Sequence, residues 1–175
     1  FGNVINSSQS VIPLFKDQIR EGGPVTLTDE RMTRFFLTDD DVFDLVRQGI
    51  ERMQGGEVFV YKMPAIRIKD LAESMIETIA PNYDYATDDI DIELVGRRPG
   101  ETFHEEIMSE REATRVYEND SLYSILPEAT EYLSYEFPEG FSEATDVVRS
   151  SDTAEKLTNE EIGTLLDGNS VRNTE

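Results

Sequence analysis

Apolar and polar positions alternate in a way that cuts most of this chain into short strands and amphipathic helices. Val11, Ile12, Phe15 and Ile19 recur at helical spacing, and Gly22-Gly23-Pro24 ends that helix. Before it, Phe1-Gly2-Asn3-Val4-Ile5 reads as the end of a buried strand and residues 6–10 as a polar loop. Val25-Thr26-Leu27-Thr28 fits a short strand. Thr38 and Asp41 form a capping-box pattern with Asp39 and Asp40 in the first turn. Val42, Leu45, Val46, Gly49 and Ile50 then give a helical stripe closed by Gly55-Gly56, and residues 57–61 follow as a strand. Ile68, Leu71, Ala72, Met75, Ile76 and Ile79 predict the most regular helix, which stops before Pro81. The alternation in Ile90-Asp91-Ile92-Glu93-Leu94-Val95 predicts a strand with Ile90, Ile92 and Leu94 on one face. Arg115-Val116-Tyr117 and Leu122-Tyr123-Ser124-Ile125-Leu126 complete the short strands. Helices and strands interleaved in this order indicate an α/β protein.

The character changes after Pro127. Residues 128–152 are acidic and weakly periodic, which predicts an extended segment lying over the body or against a neighbouring subunit. Thr158 with Glu161 is a second capping-box pattern, opening a short helix that carries Ile162, Leu165 and Leu166. Residues 167–175 read as a disordered tail. The predicted organisation is therefore 1–127, 128–166 and 167–175.

Charge narrows the function classes. The 175 residues hold 37 acidic and 16 basic side chains, a formal net charge of -21. Such a surface repels nucleic acid and anionic membranes. It suits a protein of a high-salt cytoplasm, where screening weakens self-repulsion. No apolar run approaches the roughly 20 residues of a membrane span, and without cysteine there is neither a disulfide framework nor a thiolate metal site.

Chemistry is concentrated in Gly96-Arg97-Arg98-Pro99-Gly100-Glu101-Thr102-Phe103-His104-Glu105-Glu106. Two guanidinium groups beside a Pro-Gly turn suit bidentate contact with phosphate or carboxylate. The following 101–106 reads as an acidic helix start. The bland alternative is a solvated turn whose arginines offset nearby carboxylates. Gly-x-Arg-Pro-Gly-Glu with Glu-Glu downstream resembles a motif of the polysaccharide-biosynthesis nucleotide-sugar dehydratases and epimerases, which are extended short-chain dehydrogenases/reductases. Phe1-Gly2-Asn3-Val4, Ser10-Val11-Ile12-Pro13-Leu14-Phe15, Met32-Thr33-Arg34-Phe35-Phe36-Leu37-Thr38, Gly56-Glu57-Val58-Phe59-Val60 and Lys62-Met63-Pro64-Ala65-Ile66-Arg67-Ile68-Lys69-Asp70-Leu71-Ala72 resemble that family in its order. The resemblance covers roughly residues 1–127 and is more specific than any single motif.

The resemblance implies the C-terminal part of an extended Rossmann-type NAD(P)-binding fold with the small substrate-binding subdomain. It implies a UDP-sugar partner, UDP-N-acetylglucosamine, and a 4,6-dehydratase acting in surface glycan synthesis. A UDP-sugar 4-epimerase or a non-catalytic binding or assembly module are the alternatives. NAD or NADP would be bound mainly by an N-terminal half, and the full-length protein would be a homo-oligomer. The resemblance places Asn3, Arg34 and Arg98 on the sugar-nucleotide diphosphate. Arg97 fills a variable position of the motif. The structural alternative for Arg34 is pairing with Asp29 or Glu30.

No catalytic residue is expected in this chain. Neither the glycine-rich dinucleotide cradle nor a Tyr-x-x-x-Lys pair is present, and Tyr61-Lys62 has the wrong spacing. Asn6-Ser7-Ser8-Gln9-Ser10 departs from the family's Gly-Ser-Arg-Gly-Ser, which puts a phosphate contact from that loop in doubt. His104, the single histidine, reads as a structural helix residue. Asp39-Asp40-Asp41 lacks the alternation and glycine of a calcium loop and reads as helix-start acidity.

Overall fold

The structure is a computed structural model that describes residues 2–5, 7, 10–128 and 139–166. The predicted tail at 167–175 lies outside the described residues, as do positions 129–138 of the acidic segment and most of the loop after Ile5. The elements run β1 (Asn3–Val4), α1 (Val11–Arg20), β2 (Val25–Leu27), β3 (Thr33–Leu37) and α2 (Asp39–Arg52). Then come β4 (Val58–Tyr61), β5 (Ala65–Arg67), α3 (Ile68–Ile79) and β6 (Ile92–Leu94). The last are α4 (Glu110–Ala113), β7 (Val116–Glu118), β8 (Leu122–Ile125), β9 (Ser142–Glu143) and α5 (Asn159–Leu166).

Three small sheets organise these elements. β1 pairs parallel with β3, and β3 pairs antiparallel with β5. β2 pairs parallel with β6. β4, β8, β7 and β9 form an antiparallel sheet in that order. The main core joins Ile12, Phe15 and Ile19 of α1 to Val25 and Leu27, to Leu71, Met75 and Ile76 of α3, and to Ile162 and Leu165 of α5. A second core holds Phe35, Leu37, Leu45, Tyr61, Met63 and Leu122 together. The helical spacing read for α1, α3 and α5 thus corresponds to the faces they bury. Thr38 Oγ1 and the Asp41 carboxylate close the capping box at α2.

Three expectations are corrected. The stripe on α2 does not bury Val46 or Ile50, which are 47% and 64% exposed. The inward face carries Asp41, Leu45 and Gln48 instead. Two polar tethers set this rotation: the buried Asp41 carboxylate in the cap, and Gln48 Nε2, which donates to Asp44 and to Ser121. Phe43, Val46, Ile50 and Met53 consequently lie on the outside.

Residues 101–106 are not a helix. The carbonyls of Thr102 and Phe103 accept hydrogen bonds from β3, and the backbone of 105–107 exchanges them with 149–151. These groups bond outward to β3 and 149–151 in place of helical i→i+4 pairing. The strand at 90–95 is also shorter than its alternation suggests: β6 is Ile92–Leu94, with Asp91 O and Val95 N–H still bonded to β2, and its predicted face is split, Ile90 buried and Leu94 exposed.

Candidate functional site

The segment 102–107 is clamped between β3 and residues 149–151. On one side Thr33 N–H donates to Phe103 O at 2.9 Å. On the other, Ile107 N–H donates to Arg149 O at 2.8 Å and Ser151 N–H to Glu105 O at 2.9 Å. The Arg34 side chain donates to the same Phe103 carbonyl at 3.0 Å, so backbone and side chain of β3 hold the segment together.

Asn3 and Arg34 converge on Glu105. Asn3 Nδ2 donates to the two carboxylate oxygens at 3.0 and 3.1 Å and to Phe35 O at 3.0 Å. Phe35 N–H donates to Glu105 Oε2 at 3.0 Å. Arg34 Nε stands 3.7 Å from Oε1, an ion pair without a hydrogen bond. A short chain–chain approach makes this possible: a Cβ on Gly2 would lie 2.8 Å from Phe35 Cβ. The donors at the end of β1 and along β3 therefore surround one carboxylate.

Most of the Arg34 guanidinium serves backbone carbonyls. Nη1 donates to Thr33 O at 2.7 Å and Phe103 O at 3.0 Å, and Nη2 donates to Thr102 O at 2.8 Å. Neither acid proposed as its partner from sequence is engaged. Asp29 pairs with Arg31 at 2.8 Å and Glu30 with Lys69 at 3.3 Å. Arg98 is not brought to Glu105. Its backbone N–H donates to the Glu101 carboxylate, and its exposed guanidinium makes no hydrogen bond or ion pair among the described residues.

A groove of ≈ 930 Å³ opens beside this cluster, with Gly2, Arg97, Phe103, His104, Glu105 and Arg149 on its walls. Arg97 stacks its guanidinium 4.8 Å from the Phe103 ring centre, and Arg31 lies 4.4 Å from the same ring. The hydrogen bond from Ser150 holds the Asp152 carboxyl of this groove below the ordinary carboxylate range. Sequence reading ranked Arg97 below Arg98 and gave Arg149 and Glu105 no role. Arg97 and Arg149 line the groove and Arg98 does not. Nothing in the sequence singled out Arg97, because Arg98 lies nearer along the chain to Phe103, the ring on which the Arg97 guanidinium stacks.

A second groove of ≈ 530 Å³ carries Lys62 and Lys156. Both ammonium groups have partners: Lys62 bonds Glu118 at 2.7 Å, and Lys156 donates to the carbonyls of Asp152 and Ala154.

Comparison with known proteins now decides the family. Residues 1–127 match the polysaccharide biosynthesis protein family. The chain belongs to that family. It is 46% identical over 127 residues to a Methanocaldococcus jannaschii protein named only as an uncharacterized membrane protein, covering 73% of this chain and 38% of that one. It is 38% identical over 128 residues to the inverting UDP-N-acetylglucosamine 4,6-dehydratase of Campylobacter jejuni, covering 73% and 35%. Its mixed α/β structure superposes on Pen from Bacillus thuringiensis with a TM-score of 0.80 at 34% identity, over 95% of this chain and 48% of that chain. The chain thus spans less than half the length of these relatives. No described helix is long and apolar enough to cross a membrane.

The family is generally NAD-dependent. The residues present do not fit the dinucleotide. Among the described residues no glycine-rich turn joins a strand to a following helix, the geometry that accepts its pyrophosphate. Gly22 and Gly23, with φ of +88° and +82°, follow a helix instead.

Proposed function

We infer that this chain is the sugar-nucleotide-holding part of an NAD(P)-dependent UDP-sugar 4,6-dehydratase, with UDP-N-acetylglucosamine as its substrate. Family membership and the likeness to the Campylobacter dehydratase support the reaction class. The single observation that carries the site is the convergence of Asn3 and Arg34 on one anion. The Glu105 carboxylate is that anion here. Donors that surround a carboxylate also suit a diphosphate oxygen, which takes them when the Glu105 carboxylate turns away.

Asn3 supplies an uncharged donor, Arg34 a fixed positive charge, and Arg98 a solvent-facing fork with all its donors available. Together they hold the diphosphate while the groove receives the rest of the nucleotide. Arg34 has a second duty, since its carbonyl contacts fix the 102–105 wall against β3. The work of these residues is binding and orientation. The dinucleotide and the proton-transfer groups belong to a partner segment carrying a glycine-rich turn and Tyr-x-x-x-Lys.

The test uses a chain in which that segment is present. Incubation with UDP-N-acetylglucosamine and NAD(P) is expected to yield a nucleotide sugar lighter by one water. A product of unchanged mass would replace the dehydratase reading with epimerisation. Calorimetry should show that Arg34→Ala and Arg98→Ala weaken UDP binding more than dinucleotide binding. Equal losses for both ligands would remove the diphosphate assignment.

A further inference from the structure

His104 sits in the wall of the groove, and its Nδ1 lies 2.8 Å from Thr33 Oγ1. Thr33 Oγ1 is 2.7 Å from Ser151 Oγ. Ser151 Oγ donates to Thr33 O at 3.0 Å and accepts from Glu105 N–H at 2.9 Å. Thr33 and Ser151 are both buried.

Counting protons fixes the ring's tautomer. Three contacts need a proton from a side chain: imidazole to Thr33, Thr33 to Ser151, and Ser151 to the carbonyl. The two hydroxyls supply one proton each. The third comes from the imidazole. Ser151 donates to Thr33 O, Thr33 donates to Ser151 Oγ, and His104 Nδ1–H donates to Thr33 Oγ1. With the other choice, a 3.0 Å oxygen–oxygen contact inside the protein has no proton in it. The tautomer is thus assigned from the network. A neutral ring protonated at Nδ1 carries its lone pair at Nε2. No described residue hydrogen-bonds Nε2, on a ring that faces the groove.

We propose that His104 is a specificity-determining residue, whose Nε2 accepts a hydrogen bond from a hydroxyl of a sugar nucleotide in this groove. The inference rests on the functional reading above. A lone pair at Nε2 attracts a hydroxyl proton and repels a phosphate oxygen. It therefore orients the ligand, with its hydroxyl edge toward position 104 and its diphosphate toward the donors around Glu105. A ligand lacking that hydroxyl leaves the acceptor unmatched. If the ring served only to tie segment 102–106 to β3, Nε2 would have no part.

The single histidine makes the test direct. In the ¹⁵N-labelled chain, long-range ¹H–¹⁵N correlation above the ordinary imidazole pKa should show Nδ1 protonated and Nε2 bare. A proton on Nε2 overturns the proposal. Addition of UDP-N-acetylglucosamine should move the Nε2 resonance toward its protonated value. If UDP alone does the same, the hydroxyl is on the ribose; if only the sugar nucleotide does, it is on the sugar. His104→Phe should weaken binding roughly tenfold, the worth of one neutral hydrogen bond. His104→Gln, whose amide oxygen reaches the Nε2 position, should retain most of the affinity. A Phe variant that binds as well as the parent overturns the proposal. Ligand-induced shifts elsewhere with Nε2 unmoved overturn it alone. Absence of any nucleotide binding overturns both it and the reading beneath it.

Discussion

Replacing Glu105 tests the architecture of the site most directly. Its carboxylate accepts from Asn3 Nδ2 at 3.0 and 3.1 Å and from Phe35 N–H at 3.0 Å, while Arg34 Nε is 3.7 Å away. Hydrogen bonds to an ionised acceptor contribute roughly 1.5–3 kcal/mol each. The Glu105 side chain is 30% exposed, which places these bonds at the lower end of that range. Glu105→Ala strands two donors, one of them the backbone N–H of fully buried Phe35. The expected loss is about 3 kcal/mol. Glu105→Gln keeps an oxygen for Phe35 but turns its own N–H groups toward Asn3, for a loss of about 1.5 kcal/mol.

Double-mutant cycles then separate the partners. Asn3 and Glu105 should couple by about 1–2 kcal/mol, because a hydrogen bond joins them. Arg34 and Glu105 should couple by less than about 1 kcal/mol, because 3.7 Å lies beyond hydrogen-bond reach and the guanidinium is held by backbone carbonyls instead. Urea unfolding followed by circular dichroism, with an unchanged slope, measures all of these. An Arg34–Glu105 coupling as large as that of Asn3–Glu105 would refute the reasoning. It would mean that the guanidinium acts on the carboxylate more than on the carbonyls of Thr33, Thr102 and Phe103.

Other expectations follow from the same structure. Phe43→Ser and Ile50→Ser on the outer face of α2 should each change stability by less than about 0.5 kcal/mol, against about 2–4 kcal/mol for Leu45→Ala, measured by urea unfolding. Thr38→Ala, which removes the cap of α2, should cost about 1 kcal/mol in the same assay. With a net charge of -21, the thermal midpoint should rise as KCl is raised from dilute to molar, and a flat or falling midpoint would argue against a self-repelling surface. The hydrogen bonds from Arg31 hold the Asp29 carboxyl well below its ordinary value of 3.8. Its contribution is present above that value and is lost as pH falls through the lower folded one. Carboxyl NMR should find Asp29 among the last acids to protonate, and Arg31→Ala should return it to the ordinary range.

Local signals carried much of this fold. The spacing in α1 and α3, the Thr38–Asp41 cap and the Thr158–Glu161 pair all act within a few residues, so sequence displays them. Long-range pairing is different. Glu105 meets Asn3 across 102 positions, and nothing in Phe103-His104-Glu105-Glu106 says that its backbone will join β3 instead of coiling. That pairing removed the expected helix. It also brought together Thr33, His104 and Ser151, three unremarkable polar residues when read singly. On α2 the apolar spacing was real, but it could not say which side faces the core. Asp41 and Gln48, polar and tethered inward, made that choice. For the site, resemblance selected Asn3 and Arg34, whose side chains both approach Glu105; the Arg-Pro-Gly motif favoured Arg98 over Arg97, and Arg97 lines the groove.

The outward row Phe43, Val46, Ile50 and Met53 has a bearing on handling this protein. Its carboxylate coat keeps molecules apart only while their fields reach one another. Concentrated salt shortens that reach and at the same time makes oily contacts more favourable. Salt that screens so acidic a surface therefore also removes the guard from the outward apolar row of α2. Preparations should clump first where they are otherwise most robust.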